Sequence, residues 1–268
     1  MVVCFAAYTQ RQEARPPGAQ LIRKLSSDYM TPTNQTIQNI SKGQVIFDAG
    51  LVTEPGAQLF DSAAWGARAT PHSEGRSVVW RIQLEQGCWL LKHYWRGGLV
   101  GRLISRRYWF FGFGSTRMAR EYRLLCDLHE ADLPVPRPVA ALAQRHLLLF
   151  YSGSLLTEYL EGCESLASRI RSSTLSDIPW EAIGAVIRRF HDEGVMHHDL
   201  NASNILLGLE QIYLIDFDKG QQVSSSGEAS WKEVHLRRLR RSLDKLLEAG
   251  EGIDESWARL KDGYHKAD

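Results

Sequence analysis

The spacing of apolar residues along the chain changes several times, and the changes lay out an α+β protein with a β-rich first part and a helical second part. Residues 1–42 show little apolar periodicity and many polar, Pro, Thr and Asn positions, which predicts a mobile leader. Met30, followed by Thr31-Pro32-Thr33, makes a sensible start for the folded unit. Over 44–60, short apolar clusters are broken by Gly50, Pro55 and Gly56. Val78, Trp80, Ile82 and Leu84 then alternate, and Trp89, Leu90, Leu91 and Lys92 follow Gly87, so 78–92 reads as a hairpin. A helical pattern opens at Glu121 with Tyr122, Leu125, Leu128 and His129, and three prolines stiffen a connector over 133–138. Strands are predicted over 147–150 and 155–157.

Farther on, Asp177 is a candidate cap for a helix with Pro179 in its first turn, and Ile183, Val186, Ile187 and Phe190 keep helical spacing. Ile205 to Leu207 and Ile212 to Ile215 read as a second hairpin turning at Gly208. Residues 231–247 form an amphipathic pattern, with Leu236, Leu239, Leu243 and Leu246 apolar and Arg237, Arg238, Arg240 and Arg241 basic. A solvated basic face or a membrane-facing one is compatible with it. The domain division that follows is 1–42 leader, 43–157 with an insert at 93–120, and 158–268.

Composition narrows the class. The 268 residues hold 32 Lys plus Arg against 31 Asp plus Glu, and 44% are hydrophobic, as in ordinary globular proteins; nothing points to nucleic acid. Cys4, Cys88, Cys126 and Cys163 are far apart, without a C-x-x-C pair, so neither a zinc site nor a disulfide framework is expected, and a reducing cytoplasm fits. No apolar run approaches the roughly 20 residues that span a bilayer.

Charge is distributed unevenly in one place. Between Glu85 and Glu121 there is no carboxylate, while Lys92 to Arg120 carries seven Lys and Arg residues. In the insert, Arg96, Arg102, Arg106 and Arg107 alternate with Tyr94, Trp95, Tyr108, Trp109, Phe110 and Phe111. Such a mixture suits a membrane interface, where rings sit at headgroup depth and cations meet anionic lipid. It equally suits a basic segment packed on the sheet with its rings in the core.

The densest chemistry lies in 191–218. His197-His198-Asp199-Leu200 is followed by Asn204 five positions after the aspartate, and then by Asp216 in Ile-Asp-Phe-Asp. Kinase folds lay down a hydroxyl-orienting carboxylate and two metal ligands in this order. Asp199 is the candidate base, and Asn204 and Asp216 supply the hard oxygen ligands that Mg²⁺ takes. Lys92 ends an apolar strand, as does the lysine that reaches ATP phosphates, and Glu121 is the first carboxylate able to pair with it. Gly75 is the clear glycine of the loop expected over the phosphates, and Glu158 begins the stretch 158–162 where the hinge between lobes would hold adenine. A protein-kinase-like bilobal fold is therefore expected, with 197–204 as catalytic loop and 216–218 as metal motif.

A protein kinase as such is disfavoured. No proline follows Pro179, so the Ala-Pro-Glu anchor of an activation segment is impossible, and only fifty residues follow Asp218. Asn201 also stands where protein kinases usually place a basic residue. The runs Leu91-Lys92-His93-Tyr94-Trp95-Arg96-Gly97-Gly98-Leu99-Val100, Arg117-Met118-Ala119-Arg120-Glu121-Tyr122, Leu133-Pro134-Val135-Pro136-Arg137-Pro138, His197-His198-Asp199-Leu200-Asn201-Ala202-Ser203-Asn204-Ile205-Leu206-Leu207 and Tyr213-Leu214-Ile215-Asp216-Phe217-Asp218 resemble the 3-deoxy-D-manno-octulosonic acid (Kdo) kinases within the lipopolysaccharide kinase group of Gram-negative bacteria. The resemblance covers roughly 45–248. It implies an ATP- and Mg²⁺-dependent transferase that phosphorylates the 4-hydroxyl of Kdo on Kdo-lipid A, peripheral at the cytoplasmic face of the inner membrane. Other readings are a heptose or aminoglycoside-type small-molecule kinase, and a nucleotide-binding scaffold; a scaffold has no need of the base Asp199.

Overall fold

Val45 and Phe47 pack to one side of their strand and Ile46 to the other, and this alternation gives the first part of the chain a sheet buried on both faces. The computed structural model describes residues 33–72, 79–94, 108–146, 150–223, 230–246 and 252–266. Its antiparallel sheet contains β1 (Gln35–Ile40), β2 (Gly43–Asp48), β3 (Ala69–His72), β4 (Val79–Gln83), β5 (Cys88–His93), β6 (Tyr108–Trp109), β7 (Pro138–His146) and β8 (Phe150–Glu158). The spatial order is β1-β2-β7-β8-β5-β4-β3, with β6 also paired to β8. Helix α1 (Arg117–Glu130) lies on one face through Met118, Tyr122 and Leu125. Leu59, Phe60 and Trp65, from two 3-10 turns, cover the other with Trp89 and Leu91.

The hairpin expected over 78–92 is β4 and β5, with Gly87 at φ 78° in its turn. Four elements differ. Strand β1 falls inside the expected leader; it is polar and mostly exposed, so its sequence lacks the alternation of a half-buried strand, and its place is set by backbone pairing from Gln35↔Asp48 to Ile40↔Gly43. Strand β7 follows the proline connector and is rich in alanine, a poor strand former, yet Val139 to Ala143 are all buried between the two faces. The strand expected over 147–150 lies mostly outside the described residues, and Phe150 starts one long strand that runs through the segment read as separate. Helix α1 begins four residues before Glu121.

The second part holds β9 (Glu164–Ser165), α2 (Leu166–Ser172), α3 (Trp180–Asp192), β10 (Val195–Met196), β11 (Ile205–Leu207), β12 (Ile212–Leu214), β13 (Gln221–Gln222), α4 (Ser230–Leu246) and α5 (Ile253–Lys266). Ile183, Ile187 and Phe190 bury one side of α3 as their spacing predicts. Asp177 is not the cap: it ends a 3-10 turn, where its carboxylate accepts from Thr174 Oγ1, and Pro179 occupies the cap position. Helices α3 and α5 cross through reciprocal glycines. A Cβ on Gly184 would sit 2.0 Å from the Leu260 carbonyl oxygen, and one on Gly263 would sit 1.9 Å from that of Glu181. On α4, His235, Leu239 and Leu243 are buried, while Leu236 and Leu246 pack partly against the core.

Candidate active site

The β11–β12 hairpin positions the chemistry. Ile205 pairs with Leu214, and the amide of Ile215 donates to the Asn204 carbonyl at 3.1 Å, so Asn204 and Asp216 leave the same end of one hairpin. Asp216 has φ 66°, a left-handed backbone that Asp tolerates better than most residues and that is worth notice at a site of chemistry.

The loop before the hairpin is fastened by its own polar groups. Buried His197 donates from Nε2 to the Ile215 carbonyl at 2.8 Å and accepts the Asp199 amide at Nδ1, 3.2 Å away, which requires its neutral form. Burial lowers its pKa, against smaller opposing effects of the Ile215 carbonyl and nearby carboxylates. Asn204 Nδ2 donates to the Asp199 carbonyl at 2.8 Å, leaving the amide oxygen for a cation. The Asp199 carboxylate is exposed and faces Arg238 of α4, Nη1 to Oδ1 3.2 Å.

Lys92, near the end of β5, joins the two parts of the protein. Its ammonium is 2.5 Å from Asp216 Oδ1 and 3.4 Å from Glu121 Oε1. Burial alone would lower the lysine pKa, but the charges of Glu121 and Asp216 outweigh it and raise the value. Burial likewise works to raise the Asp216 pKa, and Lys92, followed by His197 and Arg117, turns the balance to a lowered one. Glu121 is buried on α1 and also accepts a hydrogen bond from the Tyr94 hydroxyl, so its charge is held from two sides. The first residue of α1, Arg117, pairs with Asp218, two residues past Asp216.

Of the residues singled out in the sequence, the structure brings Lys92, Glu121 and Asp216 together and places Asn204 and Asp199 on one loop. Glu158 closes β8 beside Trp89; its amide already donates to Arg137, so the backbone group it can still offer an adenine is its carbonyl oxygen. Burial raises the pKa of its side chain, opposed by Arg137. Gly75 and residues 95–107 of the insert lie outside the described residues. Tyr94, Arg117 and Arg238 were not assigned roles from the sequence. Arg117 follows a cap threonine and Arg238 sits in an arginine run, so neither carries a local signal for its partner about 100 and 39 positions away.

An oxygen site of this make-up fits Mg²⁺, which binds through one or two carboxylate or amide oxygens and completes its shell with substrate phosphates and water. Asp216 and the Asn204 amide oxygen would supply that pair. Among the described residues no group of three or more His, Cys, Asp or Glu is arranged to hold a metal by itself.

Residues 62–264 match the lipopolysaccharide kinase (Kdo/WaaP) family. The chain belongs to that family. It is 39% identical over 211 residues to a 3-deoxy-D-manno-octulosonic acid kinase of Vibrio cholerae, covering 77% of this chain and 88% of that one. It is 40% identical over 229 residues to the enzyme of the same name from Stenotrophomonas maltophilia, covering 84% and 90%. A solved structure described as WaaP in complex with acyl carrier protein is similar at TM-score 0.49 and 18% identity, over 80% of this chain and 87% of that one. The sheet-rich first part and the helical second part, which carries the loop and hairpin, make this a protein-kinase-like α+β fold.

Proposed function

We propose that this family member is a Kdo kinase that transfers the γ-phosphoryl group of ATP, with Mg²⁺, to the 4-hydroxyl of Kdo on Kdo-lipid A. The observation that carries the reading is the joint placement of Lys92 against Asp216 and Glu121, with Asp199 and Asn204 on the adjoining loop. When bound, Mg²⁺ neutralises phosphate charge. Asp216 and Asn204 would hold it, and Lys92, steadied by Glu121, would hold the nucleotide phosphates. Asp199 accepts the proton of the acceptor hydroxyl as its oxygen bonds to phosphorus. Relatives named Kdo kinase, aligned over most of both chains, support the choice of sugar.

Attachment to an anionic membrane surface, the cytoplasmic face of the inner membrane, belongs to the same reading. The aromatic part of the insert divides in two. Phe110 packs against Phe113 and Tyr151, whereas Trp109 and Phe111 are 52% and 83% exposed at the end of the arginine-rich segment. Exposed rings beside cations suit the headgroup region. No helix among the described residues is long and apolar enough to cross a membrane.

Incubation with ATP, Mg²⁺ and Kdo-lipid A, followed by mass spectrometry and fragmentation of the product, tests the proposal. One added phosphate on the Kdo 4-hydroxyl, absent with Asp199→Ala, is the expected result. Phosphate on a heptose or another acceptor, with Kdo-lipid A untouched, would replace it by the small-molecule kinase alternative.

A further inference from the structure

Asn201 stands two residues past Asp199, where a basic side chain serves a protein kinase, and the structure shows what it does instead. Its Oδ1 accepts from the amides of Ser203 at 2.8 Å and Asn204 at 3.2 Å, and its Nδ2 donates to the Asp199 carbonyl at 3.0 Å. It is a cap for the 3-10 turn Ala202–Asn204 and brings no charge. Residues 197–204 contain neither lysine nor arginine. That leaves a difficulty for the chemistry. The transferring phosphoryl group carries negative charge over three equatorial oxygens, and it passes close to the carboxylate that receives the hydroxyl proton. Two like charges at such range repel unless a cation lies beside them.

A cation from a different part of the chain, Arg238, lies beside that carboxylate. Its Nη1 is 3.2 Å from Asp199 Oδ1. The backbone that carries it is fixed against the loop. One helical turn on, Ser242 Oγ accepts the Ala202 amide at 3.0 Å, while Leu239 and Leu243 are fully buried beneath. Residues four apart on a helix share a face, so the bond of Ser242 and the reach of Arg238 are two parts of one contact between α4 and the loop. The pair itself is open to water, with the side chains of Arg238 and Asp199 42% and 61% exposed. An ion pair this exposed adds little to stability, so holding the fold is a poor account of it. A guanidinium has five N–H donors in a planar fork, and with Nη1 directed at Asp199 others remain for a second anion.

We propose that Arg238 supplies from helix α4 the positive charge that the catalytic loop lacks, pairing with Asp199 before transfer and with the transferring phosphoryl oxygens during it. In the step, the acceptor O–H bond breaks and its proton goes to Asp199. The acceptor oxygen bonds to the γ-phosphorus, and the bond from that phosphorus to the bridging oxygen of ATP breaks, with its electron pair leaving on ADP. Arg238 makes and breaks no covalent bond. The inference rests on the kinase reading above, but not on which hydroxyl or sugar is the acceptor.

The test uses the full chain with Arg238→Ala, Arg238→Gln and Arg238→Lys. Turnover at saturating ATP, Mg²⁺ and Kdo-lipid A is measured beside ATP hydrolysis with water as acceptor. Removing a charge-stabilising donor costs on the order of 10²–10³ in kcat, so Arg238→Ala and Arg238→Gln should fall by that factor with the KM for ATP within about twofold. Arg238→Lys should recover part of the loss, added guanidinium ion should partly restore Arg238→Ala, and the melting temperature should not move. Hydrolysis should show the same ranking. If Kdo-lipid A is not phosphorylated while hydrolysis keeps the ranking, the acceptor reading fails and Arg238 stands. A folded Arg238→Gln with kcat within about threefold of the native value overturns the inference, as does a raised kcat, or a loss confined to the KM of the acceptor.

Discussion

Lys92 stands closer to Asp216, at 2.5 Å, than to Glu121, at 3.4 Å, so without nucleotide the lysine neutralises the carboxylate that would bind metal. Loading ATP with Mg²⁺ must divide this pair, the ammonium turning to phosphate oxygens and Asp216 to the cation. Lys92→Met should therefore raise the KM for ATP and lower kcat together, while Glu121→Gln, which leaves the lysine in place but less firmly held, should act in the same direction and more weakly. Steady-state kinetics at varied ATP would check this; an unchanged KM in Lys92→Met would remove the lysine from the phosphates.

Asn204→Ala and Asp216→Ala should shift the Mg²⁺ dependence of the rate to higher concentration besides cutting turnover, because on the proposed reading each would remove one oxygen ligand from a site with few protein ligands. Asp199→Ala should cut turnover without that shift, since on the same reading its carboxylate orients the hydroxyl and holds no metal. Mg²⁺ titrations of the three variants separate the two behaviours.

Acid should unfold the protein through a pair of buried imidazoles. His191 Nε2 and His235 Nδ1 are 3.2 Å apart beneath α4, and Tyr264 contacts His191 Nδ1 at 2.8 Å. Burial, then the mutual repulsion with His235 and the charges of Lys232 and Arg188, takes His191 down to about 3. Burial, then His197, His198 and Arg238, takes His235 down to about 4. A folded-state pKa below the unfolded value near 6.5 means that the unfolded chain binds the extra protons. Their contribution to stability is present above pH 6.5 and lost as pH falls, through about 4 for His235 and about 3 for His191, by up to about 1.4 kcal/mol per pH unit for each histidine. His197 and His129 are also lowered, so the quantity to measure is the difference in urea stability between native and His191→Gln/His235→Gln protein at pH 7.5 and 5.5. An equal pH slope in both would contradict the assignment.

Gly184→Ala should destabilise by about 1–3 kcal/mol, since its Cβ would meet the rigid Leu260 backbone at 2.0 Å and α3 and α5 must separate. Thermal melting measures it. A control at Gly162, where a Cβ would meet nothing within 4 Å, should show only the smaller strain of its φ of 71°.

The sequence by itself determined the β4–β5 and β11–β12 hairpins, the faces of α3 and α4, and the candidate residues Lys92, Glu121, Asp199, Asn204 and Asp216. Each is written in a local period or a short spacing, and the lack of carboxylates between Glu85 and Glu121 narrowed the partner of Lys92 across 29 positions. What only the tertiary structure decided has no such local record. Strand β1 exists because β2 offers it a backbone edge, and alanine-rich β7 because it pairs with β2 and β8 and is buried on both faces of the sheet. Helix α5 is held by two glycines 79 positions apart in the chain. Arg238 is one of four arginines between Arg237 and Arg241, alike in the sequence. The turn of α4 fixed by Ser242 brings it to Asp199, while Arg240 goes to Asp244 and Asp254. Helical rotation gives adjacent residues different neighbours, and only the packed helix says which of them reaches the catalytic loop.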